Sequence, residues 1–243
     1  EKARDSLLQE MHPKGGKEEG QDEDKFHIGG LIQALRQDME VSPDHRRGHN
    51  QQYEVADAGT AAFSVFFTQS TCSKDDPMPE FVFESKDMSD NQIRTLLDSV
   101  DPAALSQTWE RVFREMEANG LLDQYRDGEE RLWIAIDGTE YFCSQQIHCQ
   151  NCSHRERGNG KTECFHSVLT PVIVHHEQNH VIALEPEFIC PQDGHEKQDC
   201  EINAAKRWLK KHAETIRRNN GVLLGDDLYS REPFCREIME QGC

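Results

Sequence analysis

The sequence lacks several features that would assign it to common protein classes. No apolar run approaches the roughly 20 residues that a membrane-spanning helix needs. No charged segment followed by an apolar one opens the chain, as it would in a secretion signal. There is no Gly-rich phosphate loop of the Walker kind and no recognisable Ser, Cys or His nucleophile motif. These absences argue against a membrane protein, an ATP-dependent enzyme and a hydrolase of the nucleophile type.

Positive charge is also scarce. The chain has 27 Lys and Arg against 45 Asp and Glu, for a formal net charge of −18. Nucleic-acid-binding proteins are usually basic in at least one region, so the distribution of charge matters. Residues 1–24 hold eight acidic and four basic residues, whereas residues 199–218 hold six basic and three acidic ones. Any contact with DNA is therefore expected in the second of these segments.

The nine cysteines do not indicate a disulfide framework. Their number is odd and they are spread through long segments of ordinary globular sequence, unlike the paired cysteines of small secreted proteins. We expect reduced thiols in a cytosol, some of them bound to metal. Because the chain begins at Glu1 and ends directly after a predicted helix, we also expect it to be part of a longer protein.

Hydrophobic periodicity divides the chain into three parts. Residues 1–24 are polar and acidic and predict a weakly ordered end. Residues 25–127 predict a helical region with apolar residues at helical spacing. Its expected helices are Phe26–Glu40, Tyr53–Phe67, Asp90–Ser99 and a segment after Asp101-Pro102 that ends at Gly120.

Residues 128–243 predict an α/β core. The apolar run Leu132–Ile136 is typical of a strand buried on both faces, and the Asp-Gly-Thr after it predicts a turn. The remaining elements are a hairpin of Val168–His175 and His180–Phe188, a helix at Asp199–Asn219, a strand at Val222–Leu224 and a helix at Glu232–Glu240.

Both buried strands end at a carboxylate, Asp137 after the first and Asp226 after the second. If the strands are parallel neighbours, as the long crossover between them permits, the two carboxylates meet at one edge of the sheet. Two adjacent carboxylates favour a bound cation, and Mg²⁺ (or Mn²⁺) suits oxygen ligands and phosphate substrates. The alternative is that each Asp is only a turn or cap residue.

The sequence around these residues resembles the insertion-sequence DDE transposases. Ile134–Thr139 and Leu223–Ser230 look like the first and second Asp motifs of that family. The resemblance extends from roughly Ser89 to the end of the chain and includes Leu184–Phe188, Lys197–Glu201 and Ala204–Trp208.

The resemblance implies an RNase H-like mixed sheet with flanking helices, preceded by the helical N-terminal region. It also implies metal-dependent cleavage and joining of DNA at transposon ends and target, a homo-oligomer, and a place in the bacterial cytosol. The family's third carboxylate, a Glu on a later helix, would lie beyond Cys243, so this chain alone is expected to bind metal poorly and to cleave little. A hydrolytic nuclease and a non-catalytic remnant that binds DNA or a partner are the alternatives.

Glu201 is a further candidate ligand. Nucleases of the RNase H-like fold carry a Glu in the first turn of the helix between their two strand Asp residues, and Glu201 occupies that position in the sequence. The alternative role is a negative charge that favours the N-terminus of a helix.

Two other groups of residues suggest binding. Cys149, Cys152, Cys164 and His166, with His154 nearby, could hold a structural Zn²⁺, although a second Cys-x-x-Cys is missing and reduced surface cysteines are the alternative. Lys206, Arg207, Lys210 and Lys211 crowd one predicted helix and could contact phosphates. The alternative is an ordinary solvated helix face, and Trp208 beside them is expected in the core rather than stacked on a base.

Overall fold

The computed structural model describes residues 28–42, 44, 46, 52–68, 88–98, 100–158, 160–191 and 200–242. The end expected to be weakly ordered, residues 1–24, lies outside the described residues. Within the described ranges, no helix is both long enough and apolar enough to cross a bilayer.

The region before residue 127 is helical where it is described. Its helices are α1 (Ile28–Glu40), α2 (Val55–Thr68), α3 (Asp90–Leu97), a 3-10 turn (Pro102–Leu105) and α4 (Ser106–Ala118). Each overlaps a predicted helix. The Asp101 carboxylate accepts a hydrogen bond from Ala103 N–H (2.9 Å), so it caps the 3-10 turn as the Asp-Pro pair predicts. Gly120, after α4, has a φ of 68°, which favours glycine at a helix end.

The helices of this region are held to one another by small apolar clusters and by buried carboxylates. Met39, Val55 and Ala56 form one such cluster between α1 and α2. Asp38 of α1 accepts hydrogen bonds from Thr108 (2.7 Å) and Arg111 (3.1 Å) of α4. The carboxylate thereby joins the first helix to the one that packs on the α/β core.

Two mixed or antiparallel sheets follow. The first has the order β6-β5-β1-β8, in which β1 (Trp133–Ala135) is antiparallel to β5 (Val172–Val174) and parallel to β8 (Val222–Leu224). The short β6 (Ile182–Ala183) extends it beyond β5. The second has the order β2-β4-β3, formed by β2 (Gly138–Ser144), β3 (Ser153–Glu156) and β4 (Thr162–Leu169), and β7 (Glu187–Ile189) also pairs with β4.

The two sheets are connected by one bent two-stranded ribbon, in which β1 and β2 form one side and β4 and β5 the other. Ala135 pairs with Val172 before the bend, and Gly138 pairs with Leu169 after it, so the antiparallel register is unbroken. The Asp137 carbonyl accepts a hydrogen bond from Thr170 N–H (2.9 Å) at the bend itself. The turn predicted at residues 137–139 is therefore wrong. The chain continues as a strand because its partner bends with it and keeps the backbone groups bonded.

The cysteine-containing segment, to which the sequence pattern assigns no helix or strand, also forms a sheet. Strands β2, β3 and β4 form it, with a register shift between Glu140 and Phe142 that marks a bulge. The polar, Gly-containing composition of this segment hides its strands, because their exposed faces carry charged residues. The sheet projects the Cys and His side chains from a fixed scaffold.

Helix α5 (Glu201–Arg218) crosses the first sheet and is followed by β8 and by α6 (Glu232–Glu240). Its buried side of Ala204, Ala205, Trp208, Leu209 and Ile216 packs into the main core with the strand residues Leu132, Ile134, Ile136, Leu169 and Ile173. The helix thus connects the hairpin side of the sheet to the parallel strand β8. The chain is an α/β protein whose described helices precede and flank its sheets.

Candidate functional site

The two aspartates follow the ends of adjacent parallel strands. Ala135 of β1 pairs with Leu224 of β8, and Ile136 N–H donates to the Leu224 carbonyl (2.8 Å). The predicted parallel pairing of these strands is confirmed. Asp137 and Asp226 each lie two residues beyond the Ala135–Leu224 pair, and both are exposed. Neighbouring strands are ~4.8 Å apart. Asp137 and Asp226 therefore follow adjacent strand ends, on the same side of the sheet's end.

Glu201 lies beside the same strand end. It occupies the first turn of α5, and its carboxylate packs so closely on Gly138 that a Cβ atom there would be 2.2 Å from Oε2. Gly138 directly follows Asp137, so the absence of a side chain gives the Glu201 carboxylate its room. Glu201 is thereby placed beside the residue that follows Asp137.

A buried phenol orients the Glu201 carboxylate. Tyr229 is 5% exposed, and its hydroxyl donates to Glu201 Oε1 at 2.5 Å. Burial raises the pKa of Tyr229, and the hydrogen bond to Glu201 and the negative charges of Glu201, Asp137 and Asp226 raise it further. All three carboxylates therefore lie close enough to Tyr229 to act on its ionisation.

The Asp226 side chain also has a local role. Its Oδ1 accepts a hydrogen bond from Leu228 N–H (2.8 Å), which is an Asx-turn. The turn and the metal-binding interpretations are compatible, because a carboxylate has a second oxygen and further lone pairs.

Asp137, Asp226 and Glu201 do not form a cluster compact enough for all three carboxylates to bind one ion. Within the described part of the chain, the group whose ligand atoms all lie within 4.8 Å of one another consists of Cys149, Cys152 and His166. A site with two ions ~3.5–4 Å apart spans a larger region. Its outer carboxylates need not contact each other.

Cys149, Cys152 and His166 form a second, compact site. The two sulfurs are 3.8 Å apart, and His166 Nε2 is 3.4 Å from Cys149 Sγ and 3.3 Å from Cys152 Sγ. Zn–S bonds of about 2.3 Å and Zn–N bonds of about 2.0–2.1 Å give tetrahedral edges of about 3.8 Å between sulfurs and about 3.5 Å between sulfur and nitrogen. The observed distances match three corners of such a tetrahedron.

The surroundings of these ligands also suit a metal. Cys149 N–H donates to Cys152 Sγ (3.2 Å) and Asn151 N–H donates to Cys149 Sγ (3.4 Å), so backbone donors orient both sulfurs. Burial lowers the pKa of His166, so that its imidazole is neutral and its Nε2 can act as a ligand. The Tyr141 ring stacks on His166 with centroids 5.8 Å apart and covers one side of the site.

Cys164, the remaining residue of the predicted zinc set, lies apart from this cluster. It precedes His166 by two residues on β4 and pairs across the sheet with His154, whose Nδ1 is 3.3 Å from its sulfur. The spacing along a strand separates Cys164 from His166 by ~6.6 Å. The compact cluster therefore contains three of the four predicted ligands.

The basic face of α5 is largely neutralised within the protein. Lys206 contacts Glu237 (2.8 Å), Arg207 contacts Glu187 (2.6 Å), and Lys211 contacts Glu185 (2.7 Å). Lys210 is exposed and has no ion-pair partner among the residues that the structure describes. The geometry gives three of the four predicted DNA contacts an intramolecular role.

Glu185 and Glu187 are structural residues whose roles the sequence did not indicate. The Glu185 side chain is 10% exposed and also accepts a hydrogen bond from Ser106 of α4 (2.5 Å). Its carbonyl accepts from the Trp208 indole N–H (2.8 Å). The segment between β6 and β7 is thereby tied to both α4 and α5. The available signal was the resemblance of Leu184–Phe188 to the transposase family, which does not separate structural from catalytic carboxylates.

The fold and the geometry define an α/β protein with a carboxylate-lined sheet edge and a Cys/His cluster. Comparison with protein-family models, curated proteins and solved structures finds no match. The assignment of function therefore depends on the residues and their arrangement.

The Tyr229 phenol predicts a pH dependence of stability. A tyrosine ionises near pH 10 in an unfolded chain, whereas the folded protein holds the Tyr229 proton to higher pH. Its contribution is therefore fully present below about pH 10 and is lost as pH rises above it, by up to about 1.4 kcal/mol per pH unit. Urea unfolding at pH 9, 10 and 11 should show a steeper fall in wild type than in Tyr229→Phe. Equal slopes would contradict the raised pKa.

Proposed function

We propose that the chain is the central part of a DDE-type DNA transposase with an RNase H-like core, in which Asp137, Asp226 and Glu201 bind divalent metal. The observation that supports the proposal is the placement of three acidic residues near Tyr229: Asp137 after β1, Asp226 after β8 and Glu201 in the first turn of α5. The sequence interval between the aspartates also contains a hairpin and a crossover helix. This is the order that the resemblance implies for such a core.

The residues account for part of the chemistry. Carboxylate oxygens suit Mg²⁺ or Mn²⁺, which supplies a Lewis acid for phosphodiester cleavage and joining. Asp137 and Asp226 are exposed and so are accessible to a phosphate backbone. Tyr229 holds one oxygen of Glu201 and leaves the other for a ligand. The family's further Glu would complete this set in the proposal.

DNA contact is proposed chiefly for Lys210. Lys206, Arg207 and Lys211 already bind carboxylates, so their use for DNA would require exchanging one anion for another. Such exchange adds less affinity than an unpaired cation does, and the net charge of −18 opposes binding further. The proposal therefore places much of the DNA affinity in other parts of a larger, oligomeric assembly in the cytosol.

Two alternative functions are compatible with the same arrangement of carboxylates. A hydrolytic nuclease would use the same carboxylates but yield no joined DNA. A non-catalytic remnant would keep the fold and bind DNA or a partner without metal, an alternative favoured by the neutralised basic face of α5. Nicking and joining of plasmid DNA in Mn²⁺ distinguishes the first alternative, and metal binding distinguishes the second.

The decisive experiment compares Asp226→Asn with Asp227→Asn. The asparagine retains an oxygen that can accept from Leu228 N–H, so it keeps the Asx-turn while it removes the charge. We expect Asp226→Asn to weaken Mn²⁺ binding, measured by titration calorimetry, by more than about tenfold. Its free energy of unfolding should change by less than about 0.5 kcal/mol.

Asp227→Asn is the matched control. Asp227 is the adjacent exposed carboxylate, and it contacts Ser230 within its own turn. It should leave Mn²⁺ binding unchanged. Equal weakening by both substitutions would indicate a general effect of negative charge and would remove the support for a metal site at Asp226.

A further inference from the structure

A fourth sulfur lies near the Cys/His cluster through strand pairing. Strand β3 begins at Ser153, opposite Phe165, and β7 ends at Ile189, opposite Ser167. Both strands run along the same edge of β4, because β2 occupies the other edge. His166 lies between these two pairs. Continuing each register by one residue brings Cys152, before β3, and Cys190, after β7, to the level of His166.

Directly opposed residues of an antiparallel ladder project from the same face. The Cys190 side chain is therefore expected on the face of His166, where Cys149 and Cys152 already lie.

We propose that Cys149, Cys152, His166 and Cys190 bind a structural Zn²⁺ with Cys190 as the fourth ligand. Three of these side chains are in tetrahedral positions, and the Cys190 sulfur lies outside their 4.8 Å cluster. We expect rotation about the Cys190 side-chain bonds to bring its sulfur to the fourth corner, since Cys190 directly follows the last residue of β7 and is half-buried. Zn²⁺ with four protein ligands is the form that structural sites take.

Cys164 and His154 are the competing fourth ligands. They lie opposite each other on β4 and β3 and contact one another at 3.3 Å. Use of either would require breaking this contact and a reach of two residues along β4. The continued register of β7 places Cys190 opposite His166, which favours Cys190 over these two residues.

A zinc ion at these residues would join three segments of the second sheet. Cys149 and Cys152 precede β3, His166 lies on β4, and Cys190 directly follows β7.

The test compares Cys190→Ser with Cys164→Ser in the whole chain. Zinc content is measured by elemental analysis, and affinity by competition with a chromophoric chelator. We expect one Zn²⁺ per chain in wild type and in Cys164→Ser. In Cys190→Ser, affinity should fall by more than about 100-fold, beyond the ~10–100-fold loss that outer-shell partners cause.

A second variant distinguishes the loss of a zinc ligand from misfolding of the protein. Cys190→His supplies a nitrogen ligand in place of sulfur and should restore zinc to one ion per chain, with the tetrahedral absorption of Co²⁺ when cobalt replaces zinc. Zinc-free wild-type protein that neither Zn²⁺ nor Co²⁺ can reconstitute would overturn the site. Retention of zinc by Cys190→Ser together with its loss in Cys164→Ser would assign the fourth position to Cys164 instead.

Discussion

In the full-length protein, Glu201→Gln is expected to lower metal-dependent DNA cleavage by about 10–100-fold while the free energy of unfolding falls by only about 0.3–1 kcal/mol. Glutamine retains the size of the side chain and an oxygen that accepts the Tyr229 hydroxyl hydrogen bond. It removes the negative charge that a divalent cation requires. The substitution therefore separates metal binding from packing.

The measurement is the rate of plasmid nicking in Mn²⁺, with unfolding followed in urea on the same preparations. Tyr229→Phe is the matched control, because it removes the hydrogen bond but leaves the carboxylate charged. It should lower cleavage less than Glu201→Gln does. Wild-type cleavage by Glu201→Gln, with a small loss of stability, would assign Glu201 to the helix N-terminus alone.

Trp208→Ala is expected to reduce the free energy of unfolding by about 3–5 kcal/mol, as removal of a large core aromatic does. Trp208 is 2% exposed and packs in the main core. Its indole N–H donates to the Glu185 carbonyl, so the substitution also leaves that acceptor without its partner. Burial excludes the alternative in which Trp208 stacks on a DNA base.

Trp208→Phe separates packing from the hydrogen bond. It keeps an aromatic ring in the core and removes the indole donor, so its cost should be about 1–3 kcal/mol. Both values come from urea midpoints and slopes. A loss below about 1 kcal/mol in Trp208→Ala would mean that α5 is not anchored through this residue.

Elements with strong periodicity could be predicted from the sequence. Strand Val222–Leu224 and helix Glu232–Glu240 have the predicted bounds, and Leu132–Ile136 contains β1. In apolar runs of this length, burial of the side chains alone determines the secondary structure. The pairing of β1 with β8 followed from the helix between them, since parallel neighbours need a long connection.

The second sheet, formed by β2, β3, β4 and β7, could not be predicted in the same way. Its strands carry Glu140, Arg155 and Glu163 on exposed faces, where cross-strand ion pairs replace an apolar pattern. The proposed fourth zinc ligand could not be predicted for a related reason. Cys190 is distant from Cys149 in sequence, and its proposed place beside His166 follows from the register of β7 on β4.

The single register of the bent ribbon has a consequence for how this sequence can vary. The strand register is the same before and after Asp137. It shifts by one residue only at the bulge between Glu140 and Phe142, nearer to the end of the ribbon that carries the Cys/His cluster. Changes in length beyond the bulge therefore leave Asp137 in position. An insertion of one residue between Trp133 and Asp137 would turn the carboxylate to the opposite face. Length variation among related chains should concentrate at the ribbon tip, with none in the few residues before the bend.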